Sequence, residues 1–293
     1  MQPREFLLRL ALCKGIGILS KYHLWQQASS TYCFDDMAKI ANGAGLTLNS
    51  QTALMNNWSS KKLDETIQFN QSQHFITILD DLYPPQLRES YCPPIVLFYQ
   101  GNADLMRDDK CLAVVGSRQM TTYGQSVVRG LIPPMVKHHL TIVSGLARGI
   151  DSTAQQVALH FGGHTIGVIG SGLDQAYPPE NESLQALVAE KGLVISEYPL
   201  GTPPLPYHFP ERNRIIAGLC HTCLVVEGKK KSGSLITANI ALQENRNVCA
   251  VPGRIDAPLS VGCNELIAAG AKPILCANDL LNEFRFPSNL ADY

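Results

Sequence analysis

Long apolar runs are missing from this 293-residue chain. No stretch reaches the roughly 18 residues that would suggest a membrane-spanning helix. The N-terminus, MQPREFLLRLALCKGIG, places Arg4, Glu5 and Arg9 where a signal peptide would be apolar. Neither secretion nor a membrane span is expected, and the chain is expected in the cytoplasm. A surplus of either charge is missing too: 24 Lys and Arg stand against 25 Asp and Glu, a net charge of -1. Any polyanion must therefore be gripped by a local basic patch and not by a global field. Metal and disulfide patterns are also lacking. The nine cysteines show no repeated spacing, and the one close pair, Cys220 and Cys223, leads into a strand with no second CxxC or HxxxH. Packed, reduced thiols are expected. The eight histidines are dispersed without HExxH or paired aspartates, so no metal and no cofactor is expected, and His160, His164, His208 and His221 read as surface or packing residues. What remains, 45% hydrophobic and 17% charged, is the composition of an ordinary globular protein.

Residues 1–72 read as a small all-helical unit. In it CKGIGILSKYHLW has the glycine-hydrophobic-glycine turn of a helix-hairpin-helix, and Gly15 and Gly17 would let amides at a helix start approach a phosphate. Glycine turns of this kind are common in helical bundles, so scaffolding is the expected role of the unit. From residue 73 to 286 nine apolar, β-branched runs alternate with helical stretches. This is the pattern of an α/β domain, an extended Rossmann-like doubly wound, mostly parallel sheet with both faces covered. The segment YPPQLRESYCPP reads as a connector that lays an extra element across that sheet, and residues 287–293 read as a tail.

In such a sheet, ligands bind beyond the carboxyl ends of the strands. The loops there are rich in glycine, serine and cations: Gly116, Ser117 and Arg118; Gly145, Arg148 and Gly149; Ser171 and Gly172; Lys229 to Lys231 with Ser232, Gly233 and Ser234; and Gly253 with Arg254. The stretch FPERNRIIAGL adds Phe209, Arg212, Asn213 and Arg214 at a helix start. Glycine allows close backbone approach, helix N-terminal amides point outward, and Arg or Lys neutralises the anion they hold. Singly each loop has a plainer reading: turn glycines, or ion pairs such as Arg148 with Asp151 and Arg212 with Glu211 or Glu227. Together they describe a polyanion site. VVEGKKKSGS lacks the early glycine of a Walker loop, and neither GSRQMT nor GSGLDQ completes a dinucleotide fingerprint. Single-stranded nucleic acid fits better, because it needs phosphate cradles interleaved with flat side chains. Phe209, Tyr207, Tyr177 and Tyr198 supply such faces, although Phe209 could equally staple its helix to the core.

The motifs AVVGSR, VSGLARGIDSTAQQVAL, TIGVIGSGLDQAYPPEN, SEYPLGTPP, FPERNRIIAGL, VVEGKKKSGSLITANIAL, NVCAVPG and GCNELIAAGAKPI together resemble the DNA-processing family known as DprA or Smf. The helical unit is also similar to that family's N-terminal domain, of the SAM or helix-hairpin-helix kind. The winged-helix-like C-terminal domain of many members is not expected here. The resemblance implies a non-enzymatic protein that coats incoming single-stranded DNA in natural transformation, shields it from nucleases and helps load the RecA recombinase. It further implies Arg118 in the basic pocket, single-strand binding protein as a further partner, and a homodimer formed through the C-terminal part. Leu266, Ile267, Ile274 and Leu275 would form that dimer surface unless they belong to the core. Relatives often carry lysine after YP, where this chain has Pro179. The competing reading is a nucleotide phosphoribohydrolase-like enzyme on a similar sheet. Against it, Thr237 falls where that family's glutamate should stand; Glu227 would have to substitute.

Overall fold

A computed structural model describes residues 1–284; the expected tail at 287–293 lies outside the described residues. Five helices come first: α1 (Pro3–Leu12), α2 (Ile18–Thr31), α3 (Met37–Gly43), α4 (Leu48–Trp58) and α5 (Lys61–Asn70). Asp36, Thr47 and Ser60 cap α3, α4 and α5 by accepting from backbone N–H groups in the first turn. Between α1 and α2, Gly15 takes φ +84, a left-handed turn that a side chain would strain.

The chain then builds β1 (Phe75–Thr77), α6 (Pro85–Arg88), β2 (Val96–Gly101), β3 (Cys111–Val115), α7 (Thr122–Lys137), β4 (Thr141–Ser144), α8 (Ile150–His160) and β5 (Thr165–Ile169). It continues through α9 (Glu182–Lys191), β6 (Leu193–Ser196), α10 (His208–Leu219), β7 (Thr222–Val225), α11 (Gly233–Gln243), β8 (Asn247–Ala250), α12 (Val261–Ala268), β9 (Lys272–Pro273) and α13 (Ala277–Leu281). The strands form one sheet in the order β1-β2-β6-β5-β4-β3-β7-β8-β9. β3 through β9 pair in parallel, whereas β1 and β2 add antiparallel beyond β6. The proline-rich connector holds α6 and joins those two antiparallel strands. Winding runs outward from β3 in both directions, so the switch in strand order lies between β3 and β7.

Alternation along the strands divides the core. Cys111, Ala113 and Val115 face one side with Ile215 and Ile216 of α10, while Leu112 and Val114 face the other with Val128 and Ile132 of α7. The first of these cores continues without a break into Phe6, Leu10, Leu24 and Trp58 of the helical unit. Arg4 strengthens that junction, donating to the Phe75 carbonyl and lying over the Phe75 ring. Cys220 and Cys223 are buried free thiols, and burial pushes Cys220 up to about 12. Ile274 corrects the expected dimer surface: it is 2% exposed and donates its N–H to the Ala250 carbonyl, so the β-ladder draws it into the core. Leu275, next in sequence, is 77% exposed, and Leu266 and Ile267 are half-buried. Among the described residues no helix is long and apolar enough to cross a membrane.

Candidate nucleic-acid interface

The loop after β3 turns on a close backbone approach. Ile150 donates its N–H to the Ser117 carbonyl, and Gly149, at φ +77, packs where a Cβ would overlap that same oxygen. The loops after β3 and β4 are thereby locked together, which sets Arg118 beside Gly145 and Arg148. Across from them α10 contributes Phe209 and Arg212, and the turn after β5 contributes Tyr177 and Pro178. These residues, with Ala147, line a hollow of about 50 Å³. The guanidinium of Arg118 lies 5.5 Å from the centre of the Phe209 ring, and the Tyr177 ring lies 5.2 Å from Phe209 on its flank.

Three arginines converge here, in different electrostatic states. Arg212 is 4% exposed, donates from Nη1 to the Val168 carbonyl and feels the charge of buried Asp151. Burial lowers its pKa to about 10, Asp151 opposing the shift, and its buried Nε–H has no acceptor. Burial likewise raises Asp151, with Arg212 and the Gly145 N–H working against it. A Cβ at Gly145 would overlap the Arg212 guanidinium, so glycine is required for the arginine to pass. Arg148 is exposed and pairs with Glu180, not with Asp151. Glu180 follows Pro179, so this corner carries an acid beside the position where relatives often have lysine. Arg118 has no ion-pair partner among the described residues, which leaves it as the free cation of the hollow.

The other residues singled out from the sequence fall elsewhere. Arg214 turns away from the hollow, because residues two apart on a helix do not share a face. It is largely buried, paired with Glu197 and donating to the Cys92 carbonyl. Ser171 is buried and donates to the Gln175 carbonyl, while the Gly172 N–H donates to the Thr202 carbonyl at 2.9 Å; both hold the turn after β5. Asn213 reaches the Gly233 carbonyl at 3.4 Å, tying α10 to the start of α11. There the Ser232 and Ser234 hydroxyls bond each other at 2.8 Å, and a side chain added at Gly233 would point into open space. Lys229 lines a second hollow of about 590 Å³ with Gln119, Tyr123, Glu227 and Arg254. Lys230 pairs with Glu265, and Lys231 is exposed at φ +59. Glu227 is 2% exposed and accepts from the N–H and hydroxyl of Thr121, so it anchors the residue that caps α7. The plainer pairing of Arg212 with Glu211 is also absent: Glu211 accepts from the Tyr198 hydroxyl at 2.6 Å.

Two residues of the site were weakly signalled. Asp151 lay in view within GLARGID, but only the fold brings it near enough to Arg212 to oppose the lowering of that arginine's pKa. His208 is a packed residue, as one of its two readings had it: it is 5% exposed, with Nδ1 on the Gly170 carbonyl and its ring stacked 3.9 Å from that of Tyr198. Among the described residues no three His, Cys, Asp or Glu side chains gather as metal ligands would.

The fold places this chain among doubly wound, Rossmann-like α/β proteins, with cations and aromatic faces gathered beyond the strand ends. The particular family follows from comparison: the model described as DNA recombination-mediator protein A matches residues 74–285, and this chain belongs to that family. It is 50% identical over 210 residues to the DNA processing protein DprA of Streptococcus pneumoniae, covering 72% of this chain and 74% of that one. The X-ray structure of DNA processing protein A from Streptococcus pneumoniae superposes with a TM-score of 0.88 at 40% identity, over 98% of this chain and 99% of that one. DNA processing protein A from Helicobacter pylori, whose structure is described as giving insight into its single-stranded DNA binding mode, matches at TM-score 0.65 and 29% identity, over 73% of this chain and 97% of that one.

Proposed function

We propose that this protein binds single-stranded DNA along the carboxyl rim of its sheet, shields it from nucleases and helps load a RecA-type recombinase onto it during natural transformation. It does so in the cytoplasm as a homodimer, with single-strand binding protein as a further occupant of the same strand. The observation that carries the reading is Arg118, an unpaired cation poised over Phe209 in a hollow shared with Arg148, Arg212 and Tyr177. The single-stranded DNA binding of the Helicobacter pylori relative supports the choice of ligand. About 50 Å³ admits a few waters and no base, so Arg118 swings off the Phe209 face onto a phosphate as a base takes its place. The role is binding without catalysis, since Glu227, the carboxylate that could stand near a ribose, is committed to the start of α7.

The test is the affinity for oligo-dT as salt is raised. Wild type should lose affinity steeply, with a slope of about -0.7 per phosphate contacted. Arg118→Ala should bind about 10- to 100-fold more weakly, the effect of losing a hydrogen bond from a charged group. Equal affinity of variant and wild type would remove Arg118 from the interface.

A further inference from the structure

A cleft of about 690 Å³ lies between the helical unit and the sheet. That volume falls in the range of roughly 300 to 1,000 Å³ found for small-molecule sites. One wall is the hairpin Lys14 to Gly17 with the first turn of α2, joined by Lys62 and Phe69 of α5. The other is the loop after β6 with Tyr207, His208 and Glu211.

The two walls offer complementary chemistry. α2 is 14 residues long, and its N-cap, Gly17, supplies no side-chain acceptor, so the first amides are left for an anion. Exposed Lys14 and Lys62 line the same cleft as that helix start. Opposite, the Nδ1–H of His208 donates to the Gly170 carbonyl at 3.0 Å, which makes Nε2 of the neutral ring an acceptor. This ring is almost wholly buried at the cleft wall, yet Nε2 has no hydrogen-bond partner among the described residues. Tyr207 and Phe69 stand more than half exposed at the rim. The acids of the cleft are mostly spent: Glu197 on Arg214, Glu211 on the Tyr198 hydroxyl, with Lys21 close to both. Glu65 alone opposes Lys14 and Lys62.

An anion cradle, a lone acceptor and flat rims suit one nucleotide: phosphate, base edge and base face. His208 lines the cleft and Phe209 the Arg118 hollow, so neighbouring residues of one helical turn open onto both. We propose that the cleft takes a nucleotide of the strand held at Arg118, its phosphate on the α2 start with Lys14 and Lys62, and its base donating to His208 beside Tyr207. This rests on the single-stranded DNA reading above and makes the helical unit the second wall of the strand's path.

The experiment compares the full chain with the double variant Lys14→Ala/Lys62→Ala, which truncates two exposed lysines, and with Tyr207→Ala as a second variant. Oligo-dT of increasing length is titrated across salt, and dTMP is titrated by calorimetry. Both variants should bind long oligo-dT about 5- to 10-fold more weakly, and the lysine variant should show a shallower salt slope by about 0.7 for a lost phosphate contact. The difference should vanish for oligonucleotides too short to leave the Arg118 hollow. Wild-type affinity and slope at every length, with no dTMP heat, overturns the proposal. Binding of dTMP that the lysine variant abolishes, with oligo-dT unaffected, also overturns it, because the cleft would then serve free nucleotides and not the strand. Should Arg118→Ala bind like wild type while the lysine variant is impaired, the Arg118 reading fails and the cleft stands.

Discussion

Arg212 and Arg214 show how much a single side chain's direction decides. Both stand in FPERNR, and sequence adjacency invites one role for the pair; the helix sends one to the hollow and the other to Glu197. The 3.6-residue period held that information, but which face meets the sheet depends on packing that a motif does not reveal. Gly145 was legible as a permissive residue, yet its purpose, room for the Arg212 guanidinium, appears only in three dimensions. Gly145→Ala should therefore destabilise the fold by about 1–3 kcal/mol, as overpacking does, and be read as a lower urea midpoint. It should also weaken oligo-dT binding by displacing Arg212. Phe209→Ala tests the stacking platform separately: loss of about 1–3 kcal/mol, or about 5- to 150-fold in affinity, is expected for a base that loses its ring partner. An unchanged affinity would leave Phe209 as a staple between α10 and the sheet.

At the scale of elements, all nine strands were readable because buried strands here are mostly apolar runs, and several of the helices between them begin at a proline (α6), a glycine (α8, α11) or a Thr121 cap (α7). The reversal of β2 against β6 was not readable, since this antiparallel strand, paired on both sides, carries the same apolar composition as the parallel ones. The rim loops, read from the sequence as one group, open onto two hollows: Lys229 lines the 590 Å³ hollow with Arg254, while Arg118 and Arg148 share the smaller one. The ion pair of Arg214 with Glu197 joins α10 to the loop after β6, with both side chains largely buried. Glu197→Ala would leave the guanidinium buried without its counter-charge, at a cost of about 3–5 kcal/mol by chemical denaturation. In contrast to Arg118→Ala, it should change stability far more than affinity for DNA. A loss of affinity without loss of stability would return Arg214 to the interface.

For the whole molecule, the helical unit and the sheet share one continuous core, so the cleft between them has fixed walls. The proposed homodimer draws on the far end of the chain, where Leu275 is exposed beside half-buried Leu266 and Ile267. Leu275→Asp should shift sedimentation toward the monomer while leaving the thermal midpoint close to wild type, because little of that side chain is buried within one protomer. An unaltered dimer would place the contact elsewhere. The central claim concerns the rim itself, and a structure of the complex with oligo-dT tests it most directly. The account predicts phosphates against Arg118 and the amides of Gly116 and Ser117, a base on the Phe209 ring, and the Arg118 guanidinium moved off that face. A strand lying on another surface, with Arg118 still over Phe209, would contradict it.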